Sequence, residues 1–223
     1  MIKQFKQNAL NVLRGRWDTA IVGIIIFLLI EVLIQEIQEI IGAAGERDSY
    51  FTVLFASILS IAIMPLLYGL IKFFMEFRNG NTPFSIMFSF YTNSDMLLKS
   101  IGLSVLVGLY TFLWSLLLII PGIIAAYSYS MAPFILIDNP DIGVSEAIRR
   151  SKEIMRGHKF DYFVLQLSFI GWAILACLTF GIGFLWLIPY ILLTSIEFYR
   201  YIRDEYMYKQ QTLENNANMN KGW

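Results

Sequence analysis

Glu31, Gln35 and Gln38 recur at i, i+4 and i+7 inside a long apolar run, so all three share one face of a helix. Glu31 lies ~21 Å along a helix that starts at Trp17, within a hydrocarbon core of ~30 Å. Lipid tails offer a carboxylate no hydrogen-bond partner, and insertion scales put the cost at ~2.5 kcal/mol or more. The stripe is therefore expected to face the bundle or an outward-open vestibule. The alternative is that the first helix leaves the core near residue 31 and ends as an amphipathic extension on the outer surface. Shorter polar sets occur elsewhere: Tyr110, Thr111, Trp114 and Ser115 in one run, and Tyr127 to Ser130 in another. These suit either a groove lining or hydrogen bonds between helices.

A second set is cationic. Arg149, Arg150, Lys152 and Arg156 lie in DNPDIGVSEAIRRSKEIMRGHK. Val144, Ala147, Ile148, Ser151, Ile154 and Met155 recur at helical spacing beside them. Asn139-Pro140 reads as the helix start and Gly157 as its stop. Such a helix either lies in the interface and binds anionic headgroups, at roughly 1 kcal/mol per cation, or packs under the bundle as a brace.

Catalytic groups are sparse. The chain has one His and one Cys, whereas a metal site needs clustered ligands. His158, in RGHK, is surrounded by cations and reads as an interfacial or capping residue. Nothing pairs it with a nucleophile, and Gly181-Ile182-Gly183 reads as a turn rather than a phosphate loop. A non-enzymatic protein without catalytic, cofactor or metal-binding residues is expected.

The elements that must position these residues are membrane spans. The chain has 223 residues, 57% hydrophobic and only 15% charged, against about 25% charged in soluble domains. Net charge is zero, which argues against a nucleic-acid partner. Six spans are expected, at about 17–41, 50–77, 96–120, 122–137, 161–180 and 184–203, the first ending near residue 34 or 41. A buried soluble core fails, because six such runs leave almost no polar faces for water. With the N-terminus inside, sixteen of the seventeen Lys and Arg fall on inner segments, and only Arg47 falls outside. Both termini are then cytoplasmic. The polar start, MIKQFKQNALNVLRGRW, does not read as a cleaved signal. Turns at Ile120-Pro121-Gly122 and Gly181–Gly183 make three hairpins. Pro65, Pro121 and Pro189 hint at a threefold repeat, though proline is also common in spanning helices. Two more inner segments read as short interfacial helices: Ile2 to Leu13, and a stretch presenting Phe84, Met87, Phe88 and Tyr91. Residues 209–223 read as a disordered cytoplasmic tail.

The pieces IIPGIIAAYSYSMAPFIL, EAIRRSKEIMRGHK and LTFGIGFLWLIPY resemble a bacterial membrane family filed as a domain of unknown function, number nine-seven-five. The resemblance takes in most of the chain. It implies a bacterial, mostly Gram-positive, cytoplasmic-membrane protein of about six helices, and it supplies no activity.

The expected fold is an all-α polytopic membrane bundle, residues 1–208 forming one transmembrane domain with cytoplasmic amphipathic helices. The expected role is a module that handles lipid or another amphiphile, or assists a membrane assembly. Its expected partners are membrane lipids, with a second copy or another membrane protein as further candidates. The rival is a small transporter or peptide-export component built on Glu31 and the Tyr/Ser patches, which would need a continuous polar path.

Overall fold

A computed structural model describes residues 1–44, 50–80 and 82–220; Arg47 and Asn81 lie outside the described residues. The elements are α1 (Ile2–Leu13), α2 (Trp17–Ala44), α3 (Tyr50–Phe77), a 3-10 turn (Phe84–Phe88), α4 (Ser89–Thr92), α5 (Ser94–Leu117), α6 (Ile119–Tyr129), α7 (Ala132–Asp138), α8 (Val144–Ile154), α9 (Lys159–Leu167), α10 (Ile170–Leu178) and α11 (Phe184–Asn220). No strand occurs among the described residues, so the fold is all-α.

Five segments are long and apolar enough to cross a membrane: Trp17–Ala43, Tyr50–Phe77, Ser94–Leu117, Ile119–Asp138 and Lys159–Leu178. Their side chains are not spent on a core. Leu116 through Ile120 are each more than two-thirds exposed, and Leu33, Leu54, Phe112 and Leu178 exceed 60%. An apolar surface this extensive is stable only against lipid. The chain is a multi-pass membrane protein.

The sixth expected span forms the first part of α11 and is not among those five. Thr194, Ser195, Glu197, Arg200 and Arg203 dilute its apolar run. Burial is concentrated at one end of the bundle. There Leu66–Phe77 of α3, Leu193–Ile202 of α11 and the buried faces of α1, α7 and α8 close one hydrophobic core. The charged connections lie at this end, so the protein must supply its own apolar cover.

The structure corrects several boundaries. The reversal after α5 occurs at Leu118, an extended residue with φ −161° and ψ 147°, not at 120–122. Pro121 falls in the first turn of α6, where its missing N–H leaves no gap in the ladder. Pro65 and Pro189 lie inside helices instead, so the three prolines are not equivalent. The fourth and fifth spans are each broken, at Ser130–Met131 and Ser168–Phe169. The basic helix starts at Val144 with Gly143 as cap; Asn139 closes α7 instead, its Nδ2 donating to the Ile135 carbonyl at 3.2 Å. Gly157, at φ +95°, ends that region as expected. The tail is helical as far as Asn220 rather than disordered. Good helix formers and a Glu205–Lys209 pair at i, i+4 continue α11 past the core.

All three expected interfacial helices spend their apolar faces on protein. Phe5 packs edge-on to Phe198 at 5.7 Å and against Tyr201 at 5.5 Å, which docks α1 on α11. Ala147, Ile148, Ser151 and Ile154 bury α8 against its neighbours. The 84–92 segment folds back on α3, with Met87 and Phe90 buried and Phe84 stacked on Phe73 at 5.5 Å. A 3-10 turn has three residues per turn, so the α-helical face of Phe84, Met87, Phe88 and Tyr91 is not preserved. Phe88 and Tyr91 are left exposed.

Candidate functional site: a basic cleft and a tryptophan-lined cavity flanking α1

The predicted cation set is not a free patch. Arg149 donates to Glu146 at 2.6 and 2.7 Å and to Glu153 at 2.6 Å, while Arg150 donates to Glu146 at 2.7 Å. Hydrogen bonds from Arg149 and then Arg150 hold the Glu146 carboxyl down to about 2, so it is ionised throughout the physiological pH range. The Lys152 ammonium sits 5.3 Å from the Tyr129 ring centre. Arg156 is exposed. The buried Ser151 Oγ donates to the Ser128 carbonyl at 2.8 Å, tying α8 to α6. These contacts favour the brace over the headgroup surface.

The three residues of the Glu31 stripe have different surroundings. Gln38 faces α3, its Nε2 donating to the Ala56 carbonyl and to Ser60 Oγ, both at 3.1 Å. Gln35 is exposed and Glu31 half-buried. Glu31 lies within electrostatic reach of Tyr91. The Tyr91 hydroxyl donates to the Ala62 carbonyl at 2.9 Å, next to the ladder gap that Pro65 opens in α3. The Tyr/Ser patches satisfy themselves locally: Ser115 donates to the Thr111 carbonyl at 2.8 Å and Ser128 to that of Ile124 at 2.7 Å. Tyr110 and Trp114 are exposed.

Two concave sites flank α1. On one side a cavity of about 470 Å³ is walled by Leu10, Trp17, Trp172, Leu175, Trp186 and Tyr190, together with Thr179 and Gly183. α10 and α11 form this wall because the turn between them is tight. Phe180 and Gly181 adopt positive φ, and the Gly183 N–H donates to Thr179 Oγ1 at 2.9 Å. Gly183 also lets α11 close on α10, since an added Cβ would come 2.7 Å from the Ala176 Cα. Beyond the cavity, Tyr190 meets Phe169 edge-on at 5.2 Å, and the Lys6 ammonium stands 4.0 Å from the Phe169 ring centre. Lys6 also donates to the Ser168 carbonyl at 3.0 Å, where the break between α9 and α10 exposes it. Burial lowers the Lys6 pKa from its ordinary value. The arrangement is an apolar slot with a cation one aromatic ring removed from its Tyr190 wall.

On the other side of α1 lies a polar cleft of about 460 Å³ walled by Asn8, Asn11, Arg14, Arg16, Arg78 and Glu197. It adjoins a second hollow of about 450 Å³ that shares Asn8, Arg78 and Glu197 and adds Arg200. Glu197 is buried at 7% exposure and accepts from Arg78 at 2.8 Å and from Asn8 Nδ2 at 3.2 Å. Arg16 stacks on Phe77 at 3.9 Å and donates to the Phe77 and Gly80 carbonyls. Arg200 donates to the Met75 carbonyl at 3.3 Å. Arg16 and Arg200 thereby cap the C-terminal end of α3, where free carbonyls gather.

The cleft draws on residues from both ends of the chain, and no local spacing announces it. One signal was visible. Glu197 and Arg200 interrupt an otherwise apolar run, and intramembrane or boundary ions must find partners. The tryptophans of the cavity likewise come from three separate segments. Among the described residues no group of three or more His, Cys, Asp or Glu could hold a metal ion.

These features define the class: an all-α, multi-pass membrane protein whose polar and apolar concavities meet at its N-terminal helix. Residues 115–206 match the family model described as protein of unknown function (DUF975), the family that the sequence motifs resemble. The match runs from the last turn of α5 to Tyr206 in α11, so α1, α2 and α3 fall outside it. Comparison with curated proteins and with solved structures returned no match.

Proposed function

We propose that this protein is a non-enzymatic module of a bacterial cytoplasmic membrane that holds a lipid or similar amphiphile. One apolar chain would lie in the tryptophan-lined cavity, with the polar end toward Lys6. The observation that carries the reading is the cavity itself: about 470 Å³ walled by three tryptophans and aliphatic side chains, with one cation just beyond. A slot of this size and lining suits a flexible apolar ligand. Leu175 is 54% exposed and lines it, so Leu175→Trp fills the slot without entering the core. The full chain, loaded from phosphatidylglycerol vesicles and examined by native mass spectrometry, is expected to keep bound lipid. Leu175→Trp is expected to keep several-fold less with an unchanged melting midpoint. Equal retention by the two proteins would defeat the reading.

We also propose that both termini lie in the cytoplasm. The support is the charge asymmetry, with sixteen cations on one set of segments; the reading requires the first part of α11, which is not among the five segments long and apolar enough to span, to make a return pass. Gly42 has open space around its Cα, and Gln211 is exposed on α11. Cys177 is exposed, so the background for labelling is Cys177→Ala. Gly42→Cys is expected to react with an impermeant maleimide added to intact cells, and Gln211→Cys only after lysis. Labelling of Gln211→Cys from outside would mean that α11 does not cross.

A further inference from the structure

We propose that the cleft between α1, the C-terminal end of α3 and α11 is a binding site for a phosphate-bearing anion. Four guanidiniums, Arg14, Arg16, Arg78 and Arg200, converge on the two adjoining hollows, and Glu197 is the single carboxylate facing them apart from Asp204, which pairs with Arg203. Four cations against Glu197 leave an excess of three positive charges. Capping of α3 accounts for Arg16 and Arg200. It does not account for Arg14, whose side chain makes no hydrogen bond or ion pair among the described residues and yet lines the cleft.

Donor capacity points the same way. Each guanidinium offers about five N–H groups in a fixed fork. The bonds they make here are two from Arg16, one from Arg78 and one from Arg200. Asn8 and Asn11 add amide donors to the same wall. Tetrahedral oxyanions are the ligands that this fork geometry matches bidentately. The buried Glu197 accepts from Arg78 at 2.8 Å and so holds that half-exposed guanidinium at the cleft wall. α8, by contrast, has its arginines committed to Glu146 and Glu153. The cleft, not α8, is therefore where uncompensated cationic charge gathers in a concave wall. This site stands apart from the tail cavity, which lies across α1 and is probed by a different variant.

The phosphate could belong to a lipid headgroup or to a free phosphate compound, and the test separates them. The purified full chain is offered vesicles of phosphatidylglycerol or phosphatidylcholine, with lipid retention read by native mass spectrometry. In a second arm the delipidated chain is titrated with inorganic pyrophosphate by calorimetry. Two variants probe the site. Arg14→Glu changes an exposed residue, so folding is not at stake. Arg78→Gln with Glu197→Gln removes one fork while keeping a neutral hydrogen-bonded pair. Wild type is expected to retain phosphatidylglycerol over phosphatidylcholine, and each variant to lose that preference about tenfold, as for the loss of one charge-assisted contact. Preference for the lipid without pyrophosphate binding assigns a headgroup; pyrophosphate binding that both variants weaken assigns a free phosphate ligand. The proposal is overturned if wild type shows neither binding, or if both variants match wild type in both arms. It is equally overturned if only changing Arg149, Arg150, Lys152 and Arg156 to Gln removes the preference.

Discussion

Gly69→Ala is expected to abolish the native packing of α3 or to cost about 3 kcal/mol or more, read as a large fall in melting midpoint and in the yield of monodisperse protein. Gly69 is buried in α3 where the 3-10 turn folds back on it. An added Cβ would overlap the Met87 carbonyl oxygen and lie 2.6 Å from its carbonyl carbon. The obstacle is backbone, so no rotamer change relieves it. Overpacking of a close contact typically costs ~1–3 kcal/mol, and more where main chain must move. The displaced segment carries Met87 and Phe90, both buried, and Phe84, which stacks on Phe73. It also carries Tyr91, whose hydroxyl serves the Ala62 carbonyl beside Pro65. One methyl group thus threatens the whole cover over this side of α3. Gly108→Ala, whose Cβ would meet nothing within 4 Å, is the matched control and is expected to be neutral or slightly stabilising. If Gly69→Ala melts like wild type, the close approach of the 84–88 turn to α3 is wrong.

Apolar length and composition made five of the six expected spans legible in the sequence, because twenty-residue apolar runs are constrained by bilayer thickness alone. The breaks inside the fourth and fifth spans were not legible. Ser130–Met131 and Ser168–Phe169 carry no proline or glycine at the break itself, and tertiary packing decides them. Periodicity groups Phe5, Ala9 and Leu13 on α1 and Ala147, Ile148, Ser151 and Ile154 on α8, and all of these are buried, but periodicity does not say what covers them. Phe5, Ala9 and Leu13 would suit lipid or protein equally, and only the position of Phe198 and Tyr201 on α11 decides for protein. The tail shows the same limit: Asn-rich composition suggested disorder, but α11 propagates through it from a firmly packed start, and elongation is cheap once nucleated. The two concave sites stayed hidden for a simpler reason. Their walls join residues near 10, 78, 175 and 200, and those distances are set by the bundle.

Arg78→Gln alone is expected to destabilise the protein by about 2 kcal/mol, and the further change Glu197→Gln to recover most of that loss. Glu197 is 7% exposed, and its partners are Arg78 and Asn8. Removing one member of a buried pair strands the other charge, which typically costs ~3–5 kcal/mol. The smaller figure follows from Arg78, whose side chain is 43% exposed, so water reaches the pair and screens it. Asn8 also continues to donate to the carboxylate. A neutral Gln at 197 needs no counter-charge, and it can exchange hydrogen bonds with Gln at 78 and with Asn8. The pair is therefore expected to show a coupling of roughly 1–2 kcal/mol in a double-mutant cycle on the melting free energy. Additive losses would mean that Glu197 is solvated or partnered by another arginine of the cleft. The cycle bears on more than stability: Glu197 is the buried anion among the arginines of the cleft, and its coupling to Arg78 measures how much of that cationic field is already spent.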